Sequence, residues 1–250
     1  MTWGSLDWGI VAPALLAGLL VLATHVPLGM EVLRRGIVFI DLAIAQIAAL
    51  GVVVAQAAGF AESGLALQAA AVGAALLGAL VLAWTERRAA LQHEAVIGVL
   101  FVLASSLGIL VLASNPHGGE HLRDLLVGQI LWVSSGQLLA LAAVTALVLV
   151  WLATGGLGRL GRFGFYGAFA LAVTASVQLV GVYLVFTSLI VPALASTALQ
   201  GARRYLLAAA VGAIGYALGL ALSAWFDLPS GAVIVCTMAA CGLLARLPTG

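Results

Sequence analysis

The chain passes repeatedly through stretches of about 20 residues that hold almost no charge, which is the length a helix needs to cross the hydrocarbon core of a bilayer. Such stretches lie at 8–28, 37–58, 65–84, 95–114, 125–151, 205–225 and 229–244, and a longer apolar run covers 163–199. Only 8% of the residues are charged and 64% are hydrophobic, whereas an ordinary soluble domain carries roughly 25% charged residues. A soluble fold could not hide that much apolar surface. In lipid the backbone must satisfy its own hydrogen bonds, which a helix does within one segment. The sequence therefore predicts an all-α, polytopic membrane protein with eight or nine membrane segments. Residues 1–250 form one domain, with lipid as its main surrounding and no soluble extension. No Lys or Arg precedes the first apolar stretch and Asp7 stands where a basic region would be, so that stretch reads as a permanent first span.

Tryptophans and arginines orient the spans. Trp8, Trp84, Trp151 and Trp225 fall at segment ends, where amphipathic rings favour the interface. Arg34 and Arg35 follow the first span, Arg87 and Arg88 the third, Arg159 and Arg162 the fifth. The positive-inside rule puts these connections in the cytoplasm and the N-terminus outside. The loops with Glu62 and with residues 117–124 are then external, Arg123 being a minor exception. Arg203 and Arg204 follow the run 163–199 and should also be cytoplasmic. One crossing would leave them outside, so the run is predicted to be an interrupted helix broken near Gly181. Arg246 then also falls inside.

A net charge of +1 gives no sign of a nucleic-acid surface. All ten basic residues are Arg. A P-loop needs a Lys to reach the β- and γ-phosphates, so ATP, if it drives this protein, is bound and hydrolysed by a separate subunit and the chain itself is not an enzyme. Gly156, Gly158 and Gly161 satisfy GxGxxG, but the motif requires a preceding strand, and here it reads as a cytoplasmic turn. Cys236 and Cys241 lie about 140° apart on a helix and cannot aim at one metal; they read as small packing residues. Gly215 and Gly219 form a GxxxG pair that permits close helix contact, within the chain or at a dimer seam.

Polar residues inside spans are costly and therefore informative. Asp41 and Gln46 lie in the second span, at depths of roughly 8 and 15 Å from its cytoplasmic end. Each reads either as a lining of an ion pathway or as a hydrogen-bonding partner of another helix. His25, near the inner end of the first span, has the same two readings. The external loop places His117, Glu120 and His121 within five residues, which is metal-ligand chemistry at short range. It reads either as transient metal capture or as a docking loop. The HxxEH spacing matches one class of zinc proteases, but Pro116, Gly118 and Gly119 oppose the helix that class needs.

Four segments in order carry a resemblance. Arg34-Arg35-Gly-Ile-Val-Phe-Ile-Asp41-Leu-Ala-Ile-Ala-Gln46-Ile-Ala-Ala-Leu-Gly51 resembles the second-span signature of bacterial zinc/manganese ABC permeases. His93-Glu94-Ala-Val-Ile-Gly98 resembles the start of a later span in that family. Gly181-Val-Tyr-Leu-Val-Phe-Thr-Ser-Leu-Ile-Val-Pro192-Ala is similar to its most recognisable segment, and Asp227-Leu-Pro229-Ser-Gly231-Ala to the lead-in of its last span. The resemblance runs from about residue 10 to 245 and implies the type II importer fold. It also implies a homodimeric permease core, two cytoplasmic ABC ATPase subunits that hydrolyse ATP, an external metal-binding protein, and import as the direction. It places the helix that contacts the ATPase at 193–204, with Ala193, Ser196, Gln200, Arg203 and Arg204. Two departures stand out. Gln46 occupies a position where many relatives carry His, and Asp41 sits five residues before it rather than four, about 140° away on a regular helix; either a π-bulge re-aims one of them or the site uses other residues. The Gly155–Gly164 connection is also shorter than in many relatives. The histidines favour zinc over manganese as the transported ion. The rival readings are an ATP-independent secondary transporter, for which only Asp41 is a clear coupling group, and an intramembrane enzyme, for which no helical HExxH or nucleophile–base pair is present.

Overall fold

The structure, a computed structural model, describes residues 8–60, 64–88, 92–113, 128–155 and 161–246. Every regular element among them is helical. In chain order these are α1 (Trp8–Arg35), α2 (Ile40–Ala57), α3 (Leu65–Arg88), α4 (His93–Leu112), a 3-10 turn (Ile130–Trp132), α5 (Ser135–Ala153), α6 (Gly161–Val180), α7 (Val182–Ala195), α8 (Gly201–Phe226) and α9 (Ser230–Leu244). Seven of them are long and apolar enough to cross a membrane, and α7 and α9 are shorter apolar helices. The fold is all-α with the expected eight or nine membrane segments.

The run 163–199 is broken where the sequence indicates. Gly181 has φ 79° and ψ 162°, a backbone region essentially reserved for glycine. It separates α6, which leads away from the Arg162 end, from α7, which returns. A second glycine makes the turn possible: a Cβ on Gly128 would collide with the Val180 carbonyl and the Gly181 nitrogen. The backbone there donates from Gln129 N to Leu179 O at 3.2 Å. Residues 128–134 thus fold over the α6–α7 break.

Four boundaries differ from the sequence reading, each for a local reason. Arg34 and Arg35 belong to the last turn of α1 rather than to a loop, because both pair with Glu31 one turn earlier. Among its described residues the fifth apolar stretch is α-helical only from Ser135, because Ser134 caps the helix and Gln137 completes a capping box. Residues 193–204 are not one helix: α7 ends at Ala195, and α8 begins at Gly201, whose φ of 58° breaks the helical path. Asp41 lies in the first turn of α2, shallower than its span position suggests.

Packing divides the helices into two groups. In one, α2 packs on α3 and α4; in the other, α1 packs on α5, α7 and α8, and α9 packs on α7 and α8. The α6 helix lies between them and touches α1, α2, α3 and α5. It carries the large buried aromatics Phe165, Tyr166 and Phe169. Gly215 and Gly219 have a packing role within the chain: a Cβ at either would meet the Met238 or Ile234 backbone of α9. Cys236, by contrast, is exposed on α9 rather than packed, and Cys241 is partly exposed. Asp227 closes α8 in the left-handed conformation that Asp tolerates, and Ser223 donates to Leu228 O at 2.7 Å, which holds the lead-in to α9.

Arginine-bearing ends gather on one side of the bundle. Arg35 Nη1 lies 3.6 Å from Glu86 at the end of α3, and Arg246 after α9 reaches Thr197 after α7 at 3.4 Å. At the other end, Gln68 of α3 donates to Gln178 of α6 at 2.6 Å. The chain therefore alternates as the arginine pattern requires, and the arginine side is taken as cytoplasmic.

Candidate permeation site

Asp41 is the strongest polar anomaly in the spans. It is 1% exposed, and neither carboxylate oxygen makes a well-formed hydrogen bond. The amides of Asp41 and Leu42 at the helix start give it its nearest favourable contacts. Burying a carboxylate without partners is expensive in protein and more so in lipid. Ile47 and Gly51, which meet α3 at Gly78 and at Ala70 and Ala74, lie about 100° round the helix from it. Asp41 is thus turned away from the face where α2 packs on α3.

Gln46 is also buried, on another side of α2. The helix is α-helical from Ile40 to Ala57, so no π-bulge brings Gln46 round to Asp41. The two cannot close on one ion from a single regular helix. His25 is fully buried in α1, with Nδ1 2.9 Å from Val21 O, so that nitrogen carries the proton and donates; Nε2 has no partner. Gly18, Leu22, His25 and Gly29 share one helical face. On it Gly18 and Leu22 meet Tyr216 and Gly212 of α8, and Gly29 meets Leu189 of α7. His25 therefore faces the interior of its own helix group, and α1 and α2 are not a principal packing pair. Among the described residues no three His, Cys, Asp or Glu side chains gather as a metal site. His117, Glu120 and His121 lie outside the described residues.

Sequence reasoning missed a polar network on the arginine-bearing side of the bundle. Arg35 bonds Glu31 at 2.7 Å, approaches Glu86, and lays its guanidinium 4.3 Å from the centre of the Phe165 ring. Glu86 lies beside the Tyr166 hydroxyl, which is 2.8 Å from His93 Nε2. Six side chains, the Phe165 ring included, thus tie α1, α3, α4 and α6 together where the two helix groups meet. The Glu31–Arg35 spacing was a readable signal; the partners across helices were not. Near Asp41, the Phe39 amide donates to Glu94 Oε1 at 3.1 Å, and the Phe39 ring stacks on Phe186 of α7 with centroids 6.3 Å apart.

The proposed coupling residues cluster around the α7–α8 turn. Ala193 and Ser196 are buried, and Ser196 donates to Ala193 O at 3.1 Å. Gln200 and Arg203 are exposed, and Arg204 is half-buried.

The model of the ABC 3 transport family matches residues 7–155 and 159–247. The chain belongs to that family. It is the multi-pass membrane subunit of an ABC transporter and a protein of the bacterial inner membrane. A curated relative, the manganese transport system membrane protein MntC of Halalkalibacterium halodurans, is 26% identical, the match covering 92% of this chain and 84% of MntC. Among solved structures, PsaBC from Streptococcus pneumoniae in complex with Fab superposes with a TM-score of 0.77 at 21% identity, covering 97% of this chain and 92% of that one. The family resemblance and the type II importer-like fold expected from the sequence both hold.

Proposed function

We propose that this chain is the permease subunit of an ATP-driven importer for a divalent transition metal, with Asp41 lining the ion pathway. The observation that carries the reading is the buried Asp41 carboxylate, which makes no well-formed hydrogen bond within its own chain. Such a group attracts a cation that has shed part of its water. A second copy of the chain would complete the pathway, because one α2 helix offers no closed ligand set. ATP hydrolysis belongs to cytoplasmic ABC ATPase subunits, since the chain has no Lys for a P-loop. An external binding protein delivers the ion to the loop with His117, Glu120 and His121.

Between zinc and manganese, the donors on α2 are oxygens, Asp41 and Gln46, which suit manganese. MntC, a similar protein, carries manganese in its name. The case for zinc rests on the external histidines, because His25 is turned into its own helix group and His93 is bonded to Tyr166. The deciding experiment is purification with the ATPase, followed by metal-stimulated ATP hydrolysis with manganese, zinc and iron in the presence of the binding protein. Stimulation by none of the three, or no copurifying ATPase, would refute the reading and favour a secondary transporter.

For coupling, the exposed Gln200 and Arg203 of the α7–α8 turn are the contact points on the ATPase, and α7 passes the motion inward as a rigid body. A cysteine at Gln200 should label from the cytoplasm and be protected by the bound ATPase. Labelling only from outside would refute it.

A further inference from the structure

We propose that the slot between α3, α5 and α6 binds one acyl chain of an anionic phospholipid of the cytoplasmic leaflet, with the lipid phosphate held at Arg87. The site is separate from the ion pathway. A cavity of about 350 Å³ lies there, walled by Leu76 of α3, Leu147 and Trp151 of α5, and Phe163 and Leu171 of α6. That is the size of a ligand pocket, about 300–1,000 Å³. The space exists because α6 presents Gly164 and Gly167 to it, and a Cβ on Gly167 would meet nothing within 4 Å. Helix α3 belongs to one helix group and α5 to the other, and the two are not a principal packing pair. Bridged by α6 alone, they leave a slot whose mouth is marked by the exposed Leu76, Leu147 and Phe163.

The chemistry of the walls selects the occupant. Among the described residues, Trp151 brings the only polar side-chain atom, a single buried N–H. A trapped water needs two to four polar partners, so the slot holds neither water nor an ion. A helix is about 10 Å across and does not enter a space of this size. The slot opens between three membrane helices, where lipid tails are the surrounding medium. Its length and charge fit one lipid. Leu76 and Leu171 stand half-way along α3 and α6, while Trp151 and Phe163 stand at the cytoplasmic ends of α5 and α6. Arg87 lies on the same face of α3 as Leu76, within about 20°, and roughly 16 Å nearer the cytoplasm. That is the depth of one leaflet, half of a hydrocarbon core of about 30 Å. Arg88 is laid over the Trp84 ring, at 4.2 Å from its centre. Arg87 is exposed and forms no ion pair with a described residue. A basic residue at the cytoplasmic mouth of a slot between helices favours an anionic headgroup.

The test is native mass spectrometry of the protein purified in mild detergent as the complex it forms in the cell, with phosphatidylglycerol or phosphatidylcholine added. The wild type should retain phosphatidylglycerol in preference to phosphatidylcholine. Arg87→Gln should weaken phosphatidylglycerol binding about fivefold, as the loss of one basic residue at a membrane surface does, and bring it down to the level of phosphatidylcholine. Gly167→Phe places a ring in the slot and should abolish retention of both lipids. Gly98→Phe, on α4 and in equally open space, should leave retention as in the wild type. Arg87 is exposed, so its variant tests the site even where filling the slot costs folded protein. Retention unchanged by Gly167→Phe overturns the proposal, and so does phosphatidylglycerol binding unchanged by Arg87→Gln. If Gly167→Phe instead splits a permease dimer and leaves the lipid bound, a second copy of the chain covers the slot and the proposal is overturned equally.

Discussion

Asp41 and His25 are both fully buried polar residues in membrane helices, yet the two regions treat them oppositely. His25 sits on the face of α1 that packs against α7 and α8, and its Nδ1–H is bonded to the carbonyl one turn back. The surrounding contacts are small residues and side chains fitted at close range. Asp41 sits at the start of α2, off the face that packs on α3, with neither oxygen in a well-formed hydrogen bond. One region has tied its polar group to a carbonyl of its own helix; the other holds a carboxyl with only loose contacts to the Asp41 and Leu42 amides. In a medium with no water to repair an unpaired oxygen, that contrast separates a residue that serves packing from one that serves a passing cation.

Removing Asp41 is therefore the largest test of the contrast. Asp41→Ala should lower metal uptake by about tenfold or more, the effect of roughly 1.4 kcal/mol or more of lost ion stabilisation. The amount of folded protein in the membrane should not fall, because the substitution also removes a buried carboxyl whose oxygens have no well-formed partner. Uptake that declines only as far as protein level does would make Asp41 structural and erase the difference from His25.

The junction between the two helix groups gives the next effect. Arg35 joins them through Glu86 and the Phe165 ring, with Glu31 holding it from behind. The pair side chains are 21% and 26% exposed, so the contacts are screened only in part. Arg35→Ala should destabilise the detergent-purified protein by about 1–2 kcal/mol, summing a partly buried ion pair and a cation–π contact. Chemical unfolding measures this directly. An unchanged transition would show that packing through α6 alone holds the groups together.

A smaller effect is expected at the outer end. Replacing His117, Glu120 and His121 together by Ala should reduce uptake about threefold at low metal and little at high metal, as the loss of a weak capture site of under ~1 kcal/mol would. Binding of the loaded partner protein should persist. Lost partner binding with normal transport at saturating partner would assign the loop to docking.

How far the sequence reached can be seen at the same residues. The spans, their alternation and the break at Gly181 were legible because hydropathy, arginine placement and glycine each act locally. Asp41 was legible as an anomaly because one charge in an apolar run stands out. The 128–134 segment, which holds a 3-10 turn rather than α-helix, was not recognised, since its apolar residues read as a span, although the Ser134–Gln137 spacing was a capping signal. The Phe39–Glu94 bond and the Glu86–Tyr166–His93 network were out of reach. They join residues far apart in sequence, and only the packing of α2, α3, α4 and α6 brings them together. That Asp41 and Gln46 diverge was readable from their spacing; which of them keeps its polar atoms unspent was not.

The smallest effect belongs to His25. His25→Leu replaces the ring with an apolar side chain that suits the same packed face. The substitution loses the Nδ1–H bond to Val21 O, but Thr24 Oγ1 also donates to that carbonyl, at 3.0 Å. It removes Nε2, a buried acceptor with no partner, and deleting an unsatisfied buried group offsets the lost bond. Side-chain hydrogen bonds within membrane bundles average about 0.6 kcal/mol, so the net change in stability should fall below that. Uptake should stay within about twofold of wild type when normalised to protein in the membrane, since 0.6 kcal/mol corresponds to less than threefold. A collapse of uptake with normal protein level would mean that the free Nε2 lone pair meets the ion. The pathway would then run through the α1–α7–α8 group, and the contrast between the two regions would fail.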